Sequence, residues 1–322
     1  MQTRRTLLAL LCLTAVAASA AAQIEYPSRP VKIILSLPAG SSPDVRMRII
    51  AHELGSIWGR QVVVENRPGA GGIVGVQAAL SAPADGYTLF ATPGSVFTIL
   101  PAQNDRLPFD VKRDFIPLGL VSVEGAIVAV SPKLGVNTLR ELIALANKEP
   151  HKIAIGTTSA GSFPHFAGLL LAERSQAPFT VVPYSKGGTV EAIRDILGER
   201  IHAVVEPRPG LVGALDAGQI KALAIMSNER IAIMPDLPTA LETVPGLTAI
   251  GWMGMVAPRG TPEPIARRLI EDLRKVLEKP EIQAKLAQIG TPFRPIYGPD
   301  FAGFIHEEQK LWWPMIRQFN TQ

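Results

Sequence analysis

The residues with chemistry to offer sit in short turns rich in glycine, serine and threonine, each lying between an apolar run and a helical stretch. Pro38-Ala39-Gly40-Ser41-Ser42 and Thr92-Pro93-Gly94-Ser95 are two of them, and residues 156–162, with Thr158, Ala160, Gly161 and Ser162, form a third. Such turns expose backbone N–H groups and the positive end of the helix that follows. They can therefore capture a carboxylate or phosphate without a cationic side chain. The same residue types also build tight turns and helix caps that bind nothing. Recurrence in both halves of the chain moves the balance toward anion capture.

Acid–base and nucleophilic chemistry is poorly served. Asp44, Glu65, Asp85 and Glu206 show no pairing, and Asp44 suits the positive end of a helix. Ser162 and His165 stand three residues apart at a helix start, which is the spacing of a cap and a first-turn side chain. His165 stays a candidate hydrogen-bond donor to a ligand. No Gly-x-Gly-x-x-Gly follows the first strand, and neither the Gly-x-x-x-x-Gly-Lys-Ser/Thr pattern nor Gly-x-Ser-x-Gly occurs. The five histidines are scattered without metal-ligand spacing. No catalytic residue, metal site or cofactor is expected.

The elements that must position these turns alternate between strand and helix. Residues 31–37 read as a buried strand. A helix follows, opened by Ser42-Pro43-Asp44, with Val45, Ile49, Ile50, Leu54 and Ile57 as its apolar face and Gly59 as its stop. Strands at 61–64, 88–91, 153–155, 180–182 and 201–205 each lead into a turn and a helix, and further apolar strands lie at 222–226 and 251–256. The run 116–130 is broken at Glu124-Gly125, as expected of a strand that leaves one lobe and enters another. The end is mainly helical, with one strand near 293–296. This alternation predicts an α/β fold of mostly parallel sheets flanked by helices, with ligands bound beyond the carboxyl ends of the strands. About 300 residues exceed one compact core and predict two lobes with a cleft between them. The expected lobes are 24–120 plus 227–322, and 121–226.

Arg4 and Arg5, the apolar run 7–16 and the small residues 17–22 form a secretory leader, expected to be removed after Ala22. Cys12, the single cysteine, lies inside it, so the mature chain has no thiol for disulfides, nucleophilic attack or zinc. The formal charge of +4 falls to +2 once Arg4 and Arg5 leave, and no basic run suggests nucleic acid.

A family resemblance rests on particular stretches. Tyr26-Pro-Ser-Arg-Pro-Val31, Val64-Glu-Asn-Arg-Pro-Gly-Ala-Gly-Gly72 and Ala84-Asp-Gly-Tyr-Thr-Leu89 resemble the N-terminal half of Bug-type receptors, the substrate-binding proteins of tripartite tricarboxylate transporters. Residues 156–168 with His165, Val182-Pro-Tyr184, Leu237-Pro-Thr239 and Ala257-Pro-Arg-Gly-Thr-Pro262 continue the match in order. The resemblance implies a two-lobed periplasmic-binding-protein fold of the type II kind. It also implies a non-enzymatic monomer in the periplasm that captures a di- or tricarboxylate, amino acid or aromatic acid and delivers it to a membrane permease. A sensor that signals to a receptor kinase is the alternative of another class. Carried onto this chain, the ligand site comprises 38–42, with Asp44 behind it, and Thr92, Gly94 and Ser95 in the first lobe. The second lobe contributes Thr158, Ala160, Gly161, Ser162, His165, Tyr184, Lys186, Gly187, Gly188 and Glu206. Arg208 departs from the family pattern. It either meets a second ligand carboxylate or pairs with Glu206 at the surface.

Overall fold

The computed structural model describes residues 25–104, 106–184, 188–288 and 294–320. The expected leader and two site candidates, Lys186 and Gly187, lie outside them. Strand β1 (Val31–Leu35) is flanked by parallel neighbours β2 (Val62–Asn66) and β3 (Thr88–Pro93). Helix α1 (Ser42–Trp58) crosses from β1 to β2, with Pro43 in its first turn and Gly59 closing it at φ 60°. Its buried face is Met47, Ile50, Ala51 and Leu54, whereas Val45, expected on that face, is 44% exposed. Arg46 takes the inward position instead, because Ser122 and Glu124 receive its guanidinium inside the protein.

Helices α2 (Ile73–Leu80) and α3 (Ser95–Gln103) and the short α4 (Val111–Asp114) lead to β4 (Phe115–Val130). This strand continues through Glu124-Gly125 and changes partners there, as expected of a strand that passes from one region into another. From Phe115 to Gly125 it pairs antiparallel with β9 (Ile250–Pro258), and from Ala126 onward it pairs with β7 (Ala203–Pro207) and β8 (Lys221–Ile225). One strand thus serves two sheet regions and forms the crossing between lobes. The second region adds α5 (Leu139–Lys148), β5 (Ala154–Thr158), α6 (Phe163–Ser175), β6 (Thr180–Tyr184), α7 (Gly188–Leu197) and α8 (Arg208–Asp216). Here β5 pairs parallel with both β6 and β7. Parallel pairing appears wherever a helix joins neighbouring strands, and the crossing strands supply the antiparallel pairs.

Each region buries apolar side chains on both faces of its sheet. In the first, Met47, Leu54 and Leu89 pack with Leu269 and Leu273 of α9 (Glu263–Leu277). On the other face, Phe90, Phe97 and Phe115 meet with ring centroids 5.8–6.3 Å apart. Such aromatic pairs contribute about 0.5–1.5 kcal/mol each beyond their buried area. In the second region, Leu142, Phe166 and Leu170 fill one face and Ile196, Leu211 and Ile231 the other.

The segment 227–249, expected with the first lobe, places Ala240, Val244, Leu247 and Ala249 in the cluster of β5 and α6. Its ends are tied there: Met226 N–H donates to Ala126 O at 2.7 Å and Ala249 N–H to Met226 O at 2.8 Å. After α10 (Pro280–Gln288), residues 294–296 run as irregular chain where a strand was expected, and Tyr297 makes only an isolated bridge to Gly119. The last helix, α11 (Gly298–Asn320), spans both regions. Phe301 and Ile305 pack on the first, and Trp312 and Ile316 on the second.

Candidate functional site

A cleft of about 440 Å³ lies between the two regions, beyond the carboxyl ends of β1, β3, β5 and β7. Helix starts surround it. Pro43 of α1, Gly94 and Ser95 of α3, Ser162 to Pro164 of α6, and Pro207, Pro209 and Gly210 of α8 all line the cavity. This follows from the strand–turn–helix alternation, since in each such unit the helix begins where the strand ends.

On the first side, the turn after β1 is fastened rather than offered to the cleft. Gly40 N–H donates to Asp44 Oδ2 at 2.9 Å, Asn66 Nδ2 to Asp44 Oδ1 at 2.9 Å, and Arg48 Nε to Oδ2 at 3.0 Å. Burial raises the Asp44 pKa, but these donors outweigh it and hold the carboxyl below its usual range. Pro38, Ala39 and Gly40 are exposed, Ser41 Oγ donates to Pro38 O at 2.7 Å, and none of the four lines the cleft. Ser42 is the first residue of α1. Thr92 is fully buried behind the wall, sharing a hydroxyl bond of 2.7 Å with Ser36. Gly94 and Ser95 do face the cavity, with Gly94 N–H donating to Trp252 O at 2.7 Å.

On the second side, Thr158 and Ser162 line the cleft with their hydroxyls 3.0 Å apart, and Ser162 caps α6 by accepting from His165 N–H at 3.4 Å. His165, Ala160 and Gly161 are not among the lining residues. The imidazole Nδ1 accepts from Gly161 N–H at 3.2 Å, and burial lowers the His165 pKa, so the ring is a neutral brace for the turn. Tyr184 donates its hydroxyl to Asp195 at 2.7 Å, and neither it nor Gly188 lines the cavity.

Glu206 reaches in from the end of β7. Its Oε2 is sealed from solvent without a partner. Burial pushes its pKa up to about 8. The charge of Glu124 adds to the rise, and the hydroxyls of Thr189 and Thr158 oppose it. Arg208 is half-buried with its Nε unpartnered and is not among the lining residues. Among the described residues no ion pair joins it to Glu206.

Sequence reasoning missed much of the wall. Arg46, 1% exposed, donates Nη1 to Ser122 Oγ at 2.8 Å and Nη2 to Glu124 Oε1, so a neutralised pair from α1 and β4 forms one side. Glu308, from α11, accepts from the indoles of Trp252 and Trp312, each at 3.2 Å. Burial lifts its pKa, against the pull of those two donors and of Arg294. The only hint for Arg46 was its place beside the apolar stripe of α1, and for Glu308 there was none, because the contacts of Arg46 with Ser122 and Glu124 and of Glu308 with Trp252 join residues more than fifty positions apart. Among the described residues no cluster of histidine and acidic side chains suits a metal ion, and no helix is long and apolar enough to cross a membrane.

Comparison with known proteins agrees with this architecture. Residues 46–321 match the family model described as the tripartite tricarboxylate transporter family receptor, TctC. Protein BugT of Bordetella pertussis (strain Tohama I) is 33% identical over 301 residues, which cover 91% of this chain and 90% of BugT. Two solved structures superpose over nearly the whole chain. R. palustris Rpa4515 with adipate gives a TM-score of 0.81 at 26% identity, covering 92% of this chain and 98% of its own. MatC from Rhodopseudomonas palustris with bound malate gives 0.74 at 26% identity, covering 90% and 100%. The two-lobed binding-protein fold with its intervening cleft is shared with these structures.

Proposed function

Because the chain belongs to the tripartite tricarboxylate transporter receptor family, we propose that it captures a small carboxylate in this cleft, in the periplasm, and delivers it to the membrane subunits of such a transporter. The observation that carries this reading is the convergence of helix starts from both lobes on one cavity, above all Gly94 and Ser95 of α3 with Ser162 and Phe163 of α6. The first turn of each helix leaves N–H groups without intrahelical partners and carries roughly half an elementary positive charge. A carboxylate seated between α3 and α6 touches both lobes. It thereby favours the closed arrangement through its differential affinity for that state. Adipate and malate, held by two structural relatives, are carboxylates of a size that fits such a cleft.

The lobe boundaries belong to the same proposal. The pairing of β4 changes at Gly125/Ala126, and the chain returns to the first sheet region at Ile250. We therefore assign 126–249 to the second lobe and the flanking segments to the first. In the test, native mass spectrometry identifies the retained ligand and calorimetry then measures its affinity for Ser162→Leu. Loss of the cap hydroxyl together with added bulk at the start of α6 is expected to weaken binding about tenfold or more. Unchanged affinity contradicts the proposed placement.

A further inference from the structure

The charges around the cleft limit what can enter it. Among the described lining residues there is one cation, Arg46, and three carboxyl side chains, Glu124, Glu206 and Glu308. The Arg46 guanidinium is engaged with Ser122 and Glu124 in the wall, so it is not held in reserve for a ligand. Glu308 is engaged by two indoles. Glu206 also lines the cavity, and its Oε2 is sealed from solvent without a hydrogen-bond partner. Much of the remaining wall is apolar, including Leu37, Ile99, Phe163, Ile250, Trp252 and Met253.

We infer that the cleft selects a carboxylate with a single charge and an apolar body, and discriminates against di- and tricarboxylates. The inference rests on the carboxylate reading proposed above and narrows it. The starts of α3 and α6 can stabilise one carboxylate. A second carboxylate, carried across the cavity, would leave water to face Glu206 and Glu308 with no cation available among the described lining residues. An uncompensated buried charge is strongly disfavoured. An apolar chain or ring in the same place is instead driven against Trp252 and Ile99 by its own desolvation, as in other small-molecule sites lined by aromatic and aliphatic groups. The raised pKa of Glu206 fits this arrangement, because a neutral carboxyl group can face an apolar body at neutral pH. The volume of about 440 Å³ is within the range that encloses small organic ligands and admits a phenyl ring.

The test uses acids that differ only in the second carboxylate: hexanoate against adipate, and 3-phenylpropionate against 3-(4-carboxyphenyl)propionate. The full mature chain, freed of any retained ligand by unfolding and refolding, is titrated with each by calorimetry at neutral pH, with hexanamide as control. The monoacid of each pair is expected to bind about tenfold or more tightly than its diacid, and hexanamide not to bind. A diacid that equals or exceeds its monoacid overturns the selectivity and leaves the carboxylate reading standing. No binding of either monoacid also overturns the inference. Hexanamide binding as tightly as hexanoate overturns the carboxylate reading itself.

Discussion

Gly94→Ala places a methyl group where the indole of Trp252 already stands. A Cβ built on Gly94 lies 2.2 Å from Trp252 Cε2 and 2.4 Å from Cδ2, about 1 Å inside the roughly 3.5 Å at which carbon atoms pack. At φ −56° and ψ −29° the backbone suits alanine, so the cost is one of packing alone. The indole cannot swing aside freely. Its Nε1 donates to Glu308 at 3.2 Å, and its ring stands edge-on to Phe301 and Phe304 at centroid distances of 5.6 and 5.4 Å. Overpacking costs about 1–3 kcal/mol, and these restraints place this site toward the upper end. The smaller conformational freedom of alanine in the unfolded chain returns only about 0.4–1 kcal/mol. A net loss of about 2 kcal/mol lowers Tm by about 3 °C in a chain of this size. Affinity for the retained ligand falls as well, because the start of α3 and the Trp252 wall move apart. Thermal unfolding by circular dichroism and titration calorimetry read the two effects. Trp252→Leu added to Gly94→Ala relieves the overlap, so the double variant is expected to be more stable than the sum of the single losses by about 1 kcal/mol or more. Unchanged stability of Gly94→Ala, or strict additivity in the double variant, refutes the packing argument.

Two further variants probe the wall. In the folded chain Glu206 keeps its proton up to about pH 8, whereas the unfolded chain releases it near 4.5. Between those values the native state holds a proton that the unfolded state lacks, so stability falls by up to about 1.4 kcal/mol per pH unit as pH rises. Glu206→Gln removes that slope and gains on the parent chain between about pH 5 and about pH 8 in denaturant titrations, and parallel profiles contradict this. Arg46→Ala leaves Glu124, whose side chain is 17% exposed, without its partner in the wall. The expected cost is about 3 kcal/mol by chemical denaturation, with part of it recovered by adding Glu124→Gln, and equal losses in the single and double variants contradict the pairing.

The fold was largely legible because its determinants are local. Apolar runs gave β1, β3 and β5, and Pro43 and Gly59 bracketed α1. The turns at Gly94-Ser95 and Thr158 to Ser162 were legible for the same reason, and Gly94, Ser95, Thr158 and Ser162 line the cleft. What escaped depends on tertiary packing. The interruption at Glu124-Gly125 reads as a strand passing between lobes, but which strands pair on either side of it, β9 before and β7 and β8 after, was not legible. The segment 227–249 carries no strong strand or helix pattern, so its packing against β5 and α6 through Ala240 and Leu247 was not legible in the sequence. Asp44 and His165, chosen for their chemistry, brace turns, whereas Arg46 and Glu308 reach the cleft from helices whose local pattern gave them no distinction.

The central claim is that one carboxylate bridges helix starts of both lobes. A crystal structure of the ligand-bound protein tests it most directly. The account predicts a ligand carboxylate within hydrogen-bond distance, about 2.7–3.2 Å, of first-turn N–H groups of α3 at Ser95 or Val96 and of α6 at Phe163. A ligand whose carboxylate contacts only one lobe, or lies outside the cleft lined by Gly94, Ser162 and Glu206, contradicts it.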